Sequence, residues 1–261
     1  MEQLDKFIQD FLKSQCDPDA QDLTSLPNCV SSDNRLQVPF AIMTLMNSSL
    51  VYQVAPFEKS GDELRPGMLL LHGRGADEED LMGLVPHLNP RIICFAPRAP
   101  FSFPYGGFMW YDLQEIAKPN PEQFEESYQR LMHLVDNLQR EYPVDPHRMF
   151  LLGFSMGAVM AYALAMTRPE RFHGVIAHSG YMPEHFSAQF LWHELSQTSF
   201  FIAHGIYDPV IPIEFGRSAR DLLTKSNALC VYREYPIQHQ ISDESLRDLA
   251  EWLNTHIDFP S

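Results

Sequence analysis

Short runs of consecutive apolar residues alternate with longer segments of helical periodicity over most of the chain. The apolar runs, which are typical of parallel strands buried on both faces, lie at 67–73, 91–97, 148–154, 174–180, 199–205 and 229–236. Helical segments between several of them favour an α/β protein with a mostly parallel sheet. In such sheets the ligand site lies at the carboxyl ends of the strands.

Two of the helical segments have clear start signals. One begins with Asn120 as N-cap and Pro121 at the first helical position, and the other begins with Ser242 as cap. Near the N-terminus, apolar residues at helical spacing predict an amphipathic helix over 2–14. Two further strands are predicted at 38–46 and 49–56.

Composition and charge narrow the class of protein. The 261 residues, 45% of them hydrophobic, fit one large globular domain with a substantial core. The formal net charge of −15 argues against nucleic acid or an anionic membrane surface as a main partner. The chain contains no apolar stretch long enough for a transmembrane span, and its charged N-terminus is unlike a signal peptide, so we expect a cytoplasmic protein. Widely spaced cysteines indicate neither a disulfide framework nor a zinc site: Cys16, Cys29, Cys94 and Cys230.

A single serine lies between two glycines at the end of the third of these apolar runs. The segment Gly153–Phe154–Ser155–Met156–Gly157 matches the G-x-S-x-G pattern, in which glycines permit a strained strand-to-helix turn that exposes a nucleophilic serine. The alternative is that Ser155 is an ordinary helix N-cap. Since the motif alone is only moderately specific, the choice depends on finding a base and an acid.

The chain order of candidate partners singles out one acid and one histidine. In α/β-hydrolases the nucleophile is followed first by the acid and then by the histidine. Asp208 lies in the loop after a predicted strand, and only His239 and His256 follow it. His256 falls near the end of the last helix, whereas His239 lies in the loop between the last strand and the last helix. These positions favour Ser155, Asp208 and His239 as a catalytic triad.

Acyl transfer also requires N–H donors for the developing oxyanion. We expect one from the backbone of Met156 and one from Arg74, in a loop where Gly73 and Gly75 let the backbone approach the substrate. The Arg74 side chain has two interpretations: it holds an anionic part of the substrate, or it forms a structural ion pair. The nearby acids, which also predict the start of a helix, are Asp77, Glu78, Glu79 and Asp80.

Five motifs in order resemble the phospholipase/carboxylesterase family of α/β-hydrolases, which includes the acyl-protein thioesterases. They lie at 70–75, 96–113, 153–158, 179–183 and 204–212, and the resemblance covers roughly 48–257. It implies an α/β-hydrolase fold and a serine esterase without metal or organic cofactor, acting on esters or thioesters. It also places the triad and both oxyanion donors at the five positions already reached. One departure is Gln238, where the family usually has glycine before the histidine.

The resemblance also suggests how the chain divides. We predict an N-terminal extension over 1–45 and an α/β-hydrolase catalytic domain with a minimal cap over 46–261. Three roles are open for the helix of the extension: covering the active site, mediating a homodimer contact, or packing on the body.

Aromatic residues near the site bear on the substrate. A loop rich in them at 100–114, here called the aromatic loop, either lines an acyl channel or packs against the body. With Gly73, its candidate substrate contacts are Phe101, Phe108 and Trp110. We expect a carboxylesterase of small to medium acyl esters working through an acyl-enzyme. The alternatives are a long-chain acyl thioesterase or lysophospholipase and, in another class, a non-catalytic binding protein on a hydrolase scaffold.

Overall fold

The structure, a computed structural model, describes residues 50–57, 63–226 and 228–257. The predicted extension over 1–45, with its amphipathic helix and the strand at 38–46, lies outside the described residues. Within them, a seven-stranded sheet forms the centre of the fold. Its strands, in spatial order, are β1 (Tyr52–Val54), β3 (Ile93–Pro97), β2 (Arg65–Leu71), β8 (Val144–Phe154), β9 (Gly174–His178), β10 (Ser199–Gly205) and β11 (Leu229–Tyr235).

Every neighbouring pair in this sheet is parallel except β1 with β3, which is antiparallel. All six apolar runs are confirmed as strands, and β1 confirms the strand predicted at 49–56. Two small hairpins follow β3 and lie outside the main sheet. They pair β4 (Phe101–Ser102) with β5 (Phe108–Met109), and β6 (Leu113–Glu115) with β7 (Lys118–Pro119).

Within the described ranges, four α-helices surround the sheet: α1 (Pro121–Glu141), α2 (Met156–Thr167), α3 (Ile213–Lys225) and α4 (Asp243–His256). Both predicted caps are confirmed. Asn120 accepts the N–H groups of Glu122 and Gln123, and Ser242 forms a reciprocal capping box with Ser245. The acids at 77–80 lead into a 3-10 helix, Asp80–His87, and not into an α-helix.

The core lies on both faces of the sheet because side chains alternate along each strand. From β2, Leu69 and Leu71 join the cluster on the side of α1 and α2, whereas Met68 and Leu70 join the cluster on the side of α4. Every residue of α2 is buried. The result is a sheet between two helical layers, the α/β architecture that the sequence predicts, with the carboxyl ends of β2, β8, β9, β10 and β11 at one edge. No helix in the described ranges is both long and apolar enough to cross a membrane.

Candidate active site

Ser155 connects β8 to α2 with a strained backbone, φ 54° and ψ −118°. Such a conformation costs on the order of 1–3 kcal/mol. Two glycines allow the turn: a Cβ on Gly157 would lie 1.9 Å from the Leu71 carbonyl oxygen, and one on Gly153 would lie 2.4 Å from that of Gly157. The predicted strand-to-helix turn is therefore confirmed. Ser155 occupies the N-cap position of α2, but its side chain makes no capping hydrogen bond, so the simple N-cap interpretation does not describe it.

His239 lies between the other two predicted triad residues. Its Nδ1 is 2.7 Å from Asp208 Oδ2, and its Nε2 is 2.9 Å from Ser155 Oγ. Because an ionised carboxylate can only accept hydrogen bonds, Nδ1 carries the proton and donates a hydrogen bond to Asp208. Nε2 then presents its lone pair to the Ser155 hydroxyl, which donates to it. This arrangement is the one that a general base needs to take the serine proton.

Asp208 is buried and held by its own loop. Its Oδ1 accepts the backbone N–H groups of Val210 and Ile211, each at 2.9 Å. Burial alone would raise the pKa of Asp208. The hydrogen bond from His239 and the two backbone donors outweigh that effect, so the pKa of this carboxyl is lowered overall. A carboxylate is therefore present at neutral pH to orient the imidazole.

The loop that carries His239 packs tightly against the end of β10. A Cβ on Gly205 would lie 2.3 Å from the Gln238 carbonyl oxygen, so only glycine lets the two segments approach this closely. The ring of Phe154 lies 4.9 Å from the His239 ring. Gln238, where the family usually has glycine, keeps an ordinary backbone: positive φ outside glycine is confined, in the described part of the chain, to Ala117, Ser155 and Ser179.

The loop after β2, predicted to supply an oxyanion donor, lies against the nucleophile. A Cβ on Gly73 would be 3.4 Å from the Ser155 Cβ. The loop turns at Gly75, where φ is 83°, and Phe108 of β5 fixes it on both sides. The Gly75 N–H donates to the Phe108 carbonyl, and the Phe108 N–H donates to the Ala76 carbonyl, both at 2.8 Å. This clamp holds the backbone that includes Arg74.

The other predicted donor, the N–H of Met156, belongs to the first turn of α2. Backbone N–H groups there have no acceptor within the helix and favour negative charge. Arg74 follows Gly73, where an added Cβ would lie 3.4 Å from the Ser155 Cβ. The role of both N–H groups as oxyanion donors stays a prediction.

His72, which precedes this loop, anchors it to the fold. Its Nε2 accepts the Ala99 N–H at 3.1 Å, so its Nδ1 carries the proton and donates to the Gly73 carbonyl at 2.7 Å. Trp110 donates from its indole to the His72 carbonyl at 2.9 Å. Since Trp110 is completely buried, its expected contact with substrate is wrong: this residue supports the loop from behind.

Some rings of the aromatic loop are partly buried, and others are exposed to solvent. Phe101 and Phe108 are half-buried, whereas Tyr105 is 64% exposed. The Arg98 guanidinium lies over the Phe108 ring, 4.6 Å from the ring centroid. It also donates two hydrogen bonds to the Glu78 carboxylate. Glu78, one of the predicted candidates for an ion pair with Arg74, is therefore bonded to another arginine.

With this geometry in place, comparison with known proteins identifies the family. The phospholipase/carboxylesterase family matches residues 54–257 of the chain. The chain belongs to this family. The site described above lies wholly within the matched segment.

Relatives and solved structures agree with the assignment. The chain is 26% identical to a probable carboxylesterase SOBER1-like of Arabidopsis thaliana, over 84% of this chain and 95% of the relative. It is 28% identical to acyl-protein thioesterase 1 of Yarrowia lipolytica, over 62% of this chain and 75% of the relative. The Bacillus cereus carboxylesterase structure superposes with a TM-score of 0.72 at 21% identity, covering 80% of this chain and 96% of its own. The α/β-hydrolase fold is confirmed.

Membership of the phospholipase/carboxylesterase family also decides the functional class. The protein is a serine hydrolase of the carboxylesterase and acyl-protein thioesterase type. The alternative of a non-catalytic binding protein is thereby set aside. Within the residues described, three or more His, Cys, Asp or Glu side chains do not gather as a metal site.

Two buried histidines near the triad were missed by the sequence analysis. Burial lowers the pKa of His178 to about 3, and burial also lowers the pKa of His204, so both are neutral. His204 donates from Nε2 to the Ile211 carbonyl at 2.8 Å, and the same nitrogen is 3.6 Å from Asp208 Oδ2. His256, the rejected alternative base, stacks on Trp252 at 4.2 Å.

Proposed function

We propose that the protein hydrolyses carboxylic esters with Ser155 as nucleophile, His239 as general base and acid, and Asp208 as the orienting carboxylate. The observation that carries this proposal is the pair of hydrogen bonds made by one imidazole, 2.9 Å to Ser155 Oγ and 2.7 Å to Asp208 Oδ2. The strained turn at Ser155 supports it further. It presents the hydroxyl at the carboxyl edge of the sheet, as the nucleophile turn of α/β-hydrolases does.

The reaction has two halves that use the same groups. In the first, Ser155 Oγ attacks the ester carbonyl while His239 Nε2 takes the serine proton, and the backbone N–H groups of Arg74 and Met156 stabilise the oxyanion. His239 then returns the proton to the leaving alcohol, and the acyl group remains on Ser155. In the second half, water activated by His239 attacks the acyl-enzyme, and the carboxylic acid is released.

Small to medium acyl esters are the proposed substrates because the segment between β9 and β10 does not form a large cap. This segment contains two 3-10 helices, Glu184–Gln189 and Trp192–Gln197. The Phe186 ring packs on Phe124 and Tyr128 of α1, with centroids 5.1 and 5.3 Å apart. This packing ties the segment to the body of the fold, which supports an open site.

A second candidate is a long-chain acyl thioesterase or lysophospholipase. The loop around Asp208 exposes three apolar side chains, Ile206, Tyr207 and Val210, at 41%, 64% and 41%. Such a surface beside the triad favours contact with a long acyl chain or another apolar surface. The relative named acyl-protein thioesterase 1 supports the same candidate.

The rate of hydrolysis against acyl-chain length separates the two candidates. We would use 4-nitrophenyl esters and matched thioesters over a series of acyl chains from short to long, with Ser155→Ala as the blank. A rate that peaks at short chains supports the small-ester carboxylesterase, and a rate that rises to long chains supports the second candidate. Equal rates for wild type and blank at every length would refute both.

A further inference from the structure

The loop that carries Asp208 is held to the fold on both sides of that residue. Before it, the Ile206 N–H donates to the Tyr235 carbonyl of β11 at 2.8 Å. After it, the Ile211 carbonyl accepts a hydrogen bond of 2.8 Å from Nε2 of His204, which lies near the end of β10. The His204 imidazole therefore restrains the half of the loop that follows Asp208.

Ile211 connects His204 to the proposed catalytic acid. Its N–H donates to Asp208 Oδ1 at 2.9 Å, and its carbonyl is the one that accepts from His204. His204 Nε2 also lies 3.6 Å from Asp208 Oδ2, the oxygen that accepts from His239 at 2.7 Å. A displacement of Ile211 would therefore move one donor of the carboxylate, and the bond from His204 opposes that displacement.

The His204 ring has a defined protonation state and is closely packed. The residue is completely buried, and burial lowers its pKa, so the imidazole is neutral at pH 7. Because the Ile211 carbonyl can only accept hydrogen bonds, the proton is on Nε2. At the other ring nitrogen, a Cβ on Gly216 of α3 would lie 2.7 Å from Nδ1. The helix therefore packs directly on the ring and limits its movement.

Stability alone does not explain a histidine at this position. Its Nδ1 is buried, and no hydrogen-bond donor reaches it from the residues that the structure describes. Such an atom lowers stability, because it loses its hydrogen bond to water on folding. The bond from Nε2 to the loop is the contribution that an apolar side chain of similar size cannot make, and this bond leads to the active site.

We propose that His204 is a positioning residue of the active site: it fixes the loop after Asp208 so that the carboxylate keeps its hydrogen bond to His239. The inference rests on the proposed triad, and it gives His204 an effect on the rate without contact with the substrate. Without this donor, Ile211 and the carboxylate can shift together. A shift of about 1 Å at a catalytic group is enough to lower a rate about a hundredfold.

Replacing His204 by leucine removes the donor and keeps a side chain of similar size. For a short-chain 4-nitrophenyl ester, His204→Leu should lower kcat by about 10–100-fold and leave KM nearly unchanged, because the substrate does not touch this residue. His204→Gln should recover most of the loss, since its amide N–H extends about as far as Nε2, whereas the shorter His204→Asn should not. Steady-state kinetics, at a temperature at which circular dichroism shows each variant folded, gives these values.

Thr198→Val is the matched control, because it removes a buried donor at the other end of the same strand. Thr198 is completely buried, and its hydroxyl donates to the Phe172 carbonyl at 3.0 Å. It directly precedes β10, so at about 3.3 Å per residue it lies roughly 20 Å from His204. Thr198→Val should lower the free energy of unfolding and leave kcat at the wild-type value.

A double-mutant cycle with Asp208→Asn shows whether His204 acts through the carboxylate. We expect His204→Leu to lower kcat strongly in the wild-type background and only slightly in Asp208→Asn, where the carboxylate is already lost. A purely structural role of His204 would give the same fold loss in both backgrounds.

Any of four results would overturn the inference. In three of them, kcat is unchanged in His204→Leu, equally reduced in Thr198→Val, or reduced by the same factor in both backgrounds of the cycle. Where His204→Leu does not fold, equal kcat values in His204→Gln and His204→Asn overturn it instead. Failure of the proposed triad is distinguishable, because Asp208→Asn and Ser155→Ala would then keep the wild-type kcat. Failure of this inference alone leaves both of those losses in place.

Discussion

Two serines share a positive φ at the ends of adjacent strands. Ser155 follows β8 and Ser179 follows β9, and each has φ 54°. Each N–H donates to a carbonyl of the next strand, Ser155 to His178 at 2.9 Å and Ser179 to Ala203 at 2.8 Å. Each hydroxyl also lies within hydrogen-bond distance of an imidazole, His239 for Ser155 and His178 for Ser179.

The two sites differ in what lies behind the imidazole and in access to solvent. Behind His239 is the Asp208 carboxylate, whereas behind His178 is the hydroxyl of Ser245, 3.1 Å away. Ser179 and His178 are completely buried, and Ser155 is half-buried at the edge of the sheet. A positive φ and a neighbouring histidine are therefore not sufficient to make a serine a nucleophile. Ser155, the proposed nucleophile, differs from Ser179 in the Asp208 carboxylate behind its histidine and in its partial exposure to solvent.

Replacing each serine by alanine separates the two sites most strongly. Ser155→Ala should lower kcat for a short-chain ester by a factor on the order of 10⁶, because the attacking oxygen is lost. Ser179→Ala should keep kcat within about tenfold of wild type and should lower the free energy of unfolding by about 1–3 kcal/mol, since His178 loses a buried partner. Steady-state kinetics and urea unfolding measure both. Equal losses of kcat in the two variants would contradict the assignment.

The next effect tests the carboxylate. Asp208→Asn should lower kcat by about 10⁴-fold with little change in fold, because the amide no longer holds His239 in the tautomer that accepts the serine proton. Ser245→Ala is the counterpart behind His178. It should leave kcat nearly unchanged and lower the free energy of unfolding by about 1–3 kcal/mol, because it removes a capping residue of α4 and a buried partner of His178. A similar kcat in Asp208→Asn and wild type would show that the carboxylate does not orient His239 for catalysis.

The glycines around the two serines give a test of stability. Gly157→Ala should lower the free energy of unfolding by at least about 3 kcal/mol, because its Cβ would meet backbone of β2 that cannot rotate away. In Gly180→Ala the Cβ would meet the Ala158 methyl at 2.6 Å, and about 1–3 kcal/mol is expected. Urea unfolding by circular dichroism measures the difference. Equal stability of Gly157→Ala and wild type would show that the turn is not tightly constrained.

The smallest effect concerns proton uptake by the buried histidine. The pKa of His178 is about 3 in the folded protein and about 6.5 when unfolded, so between these values the unfolded state binds more protons. Stability should therefore fall as pH is lowered through this window. The slope of the free energy of unfolding against pH gives the number of protons taken up on unfolding. Measured by urea unfolding between pH 7 and 5, this number should be lower by about one in His178→Asn than in wild type. An unchanged slope would mean that His178 titrates normally.

The strands, the caps and the triad positions were predictable because each has a local signal. Buried parallel strands are continuous apolar runs, Asn120 and Ser242 begin their helices, and the chain order Ser, acid, His restricts the candidates. Spatial pairing has no such signal. The Arg98–Glu78 bond and the strained turn at Ser179 depend on how distant segments pack. Trp110 was assigned to the substrate because a sequence shows where an aromatic residue lies along a loop, but not which side of the loop is buried.

A fluorophosphonate reports directly which serine of the protein is activated as a nucleophile. This reagent forms a covalent adduct with a serine activated by a base, and peptide mass spectrometry identifies the modified residue. We expect an adduct on Ser155, formed much more slowly in Asp208→Asn, and no adduct above background in Ser155→Ala. An adduct on Ser179, or equal labelling rates in wild type and Asp208→Asn, would contradict it.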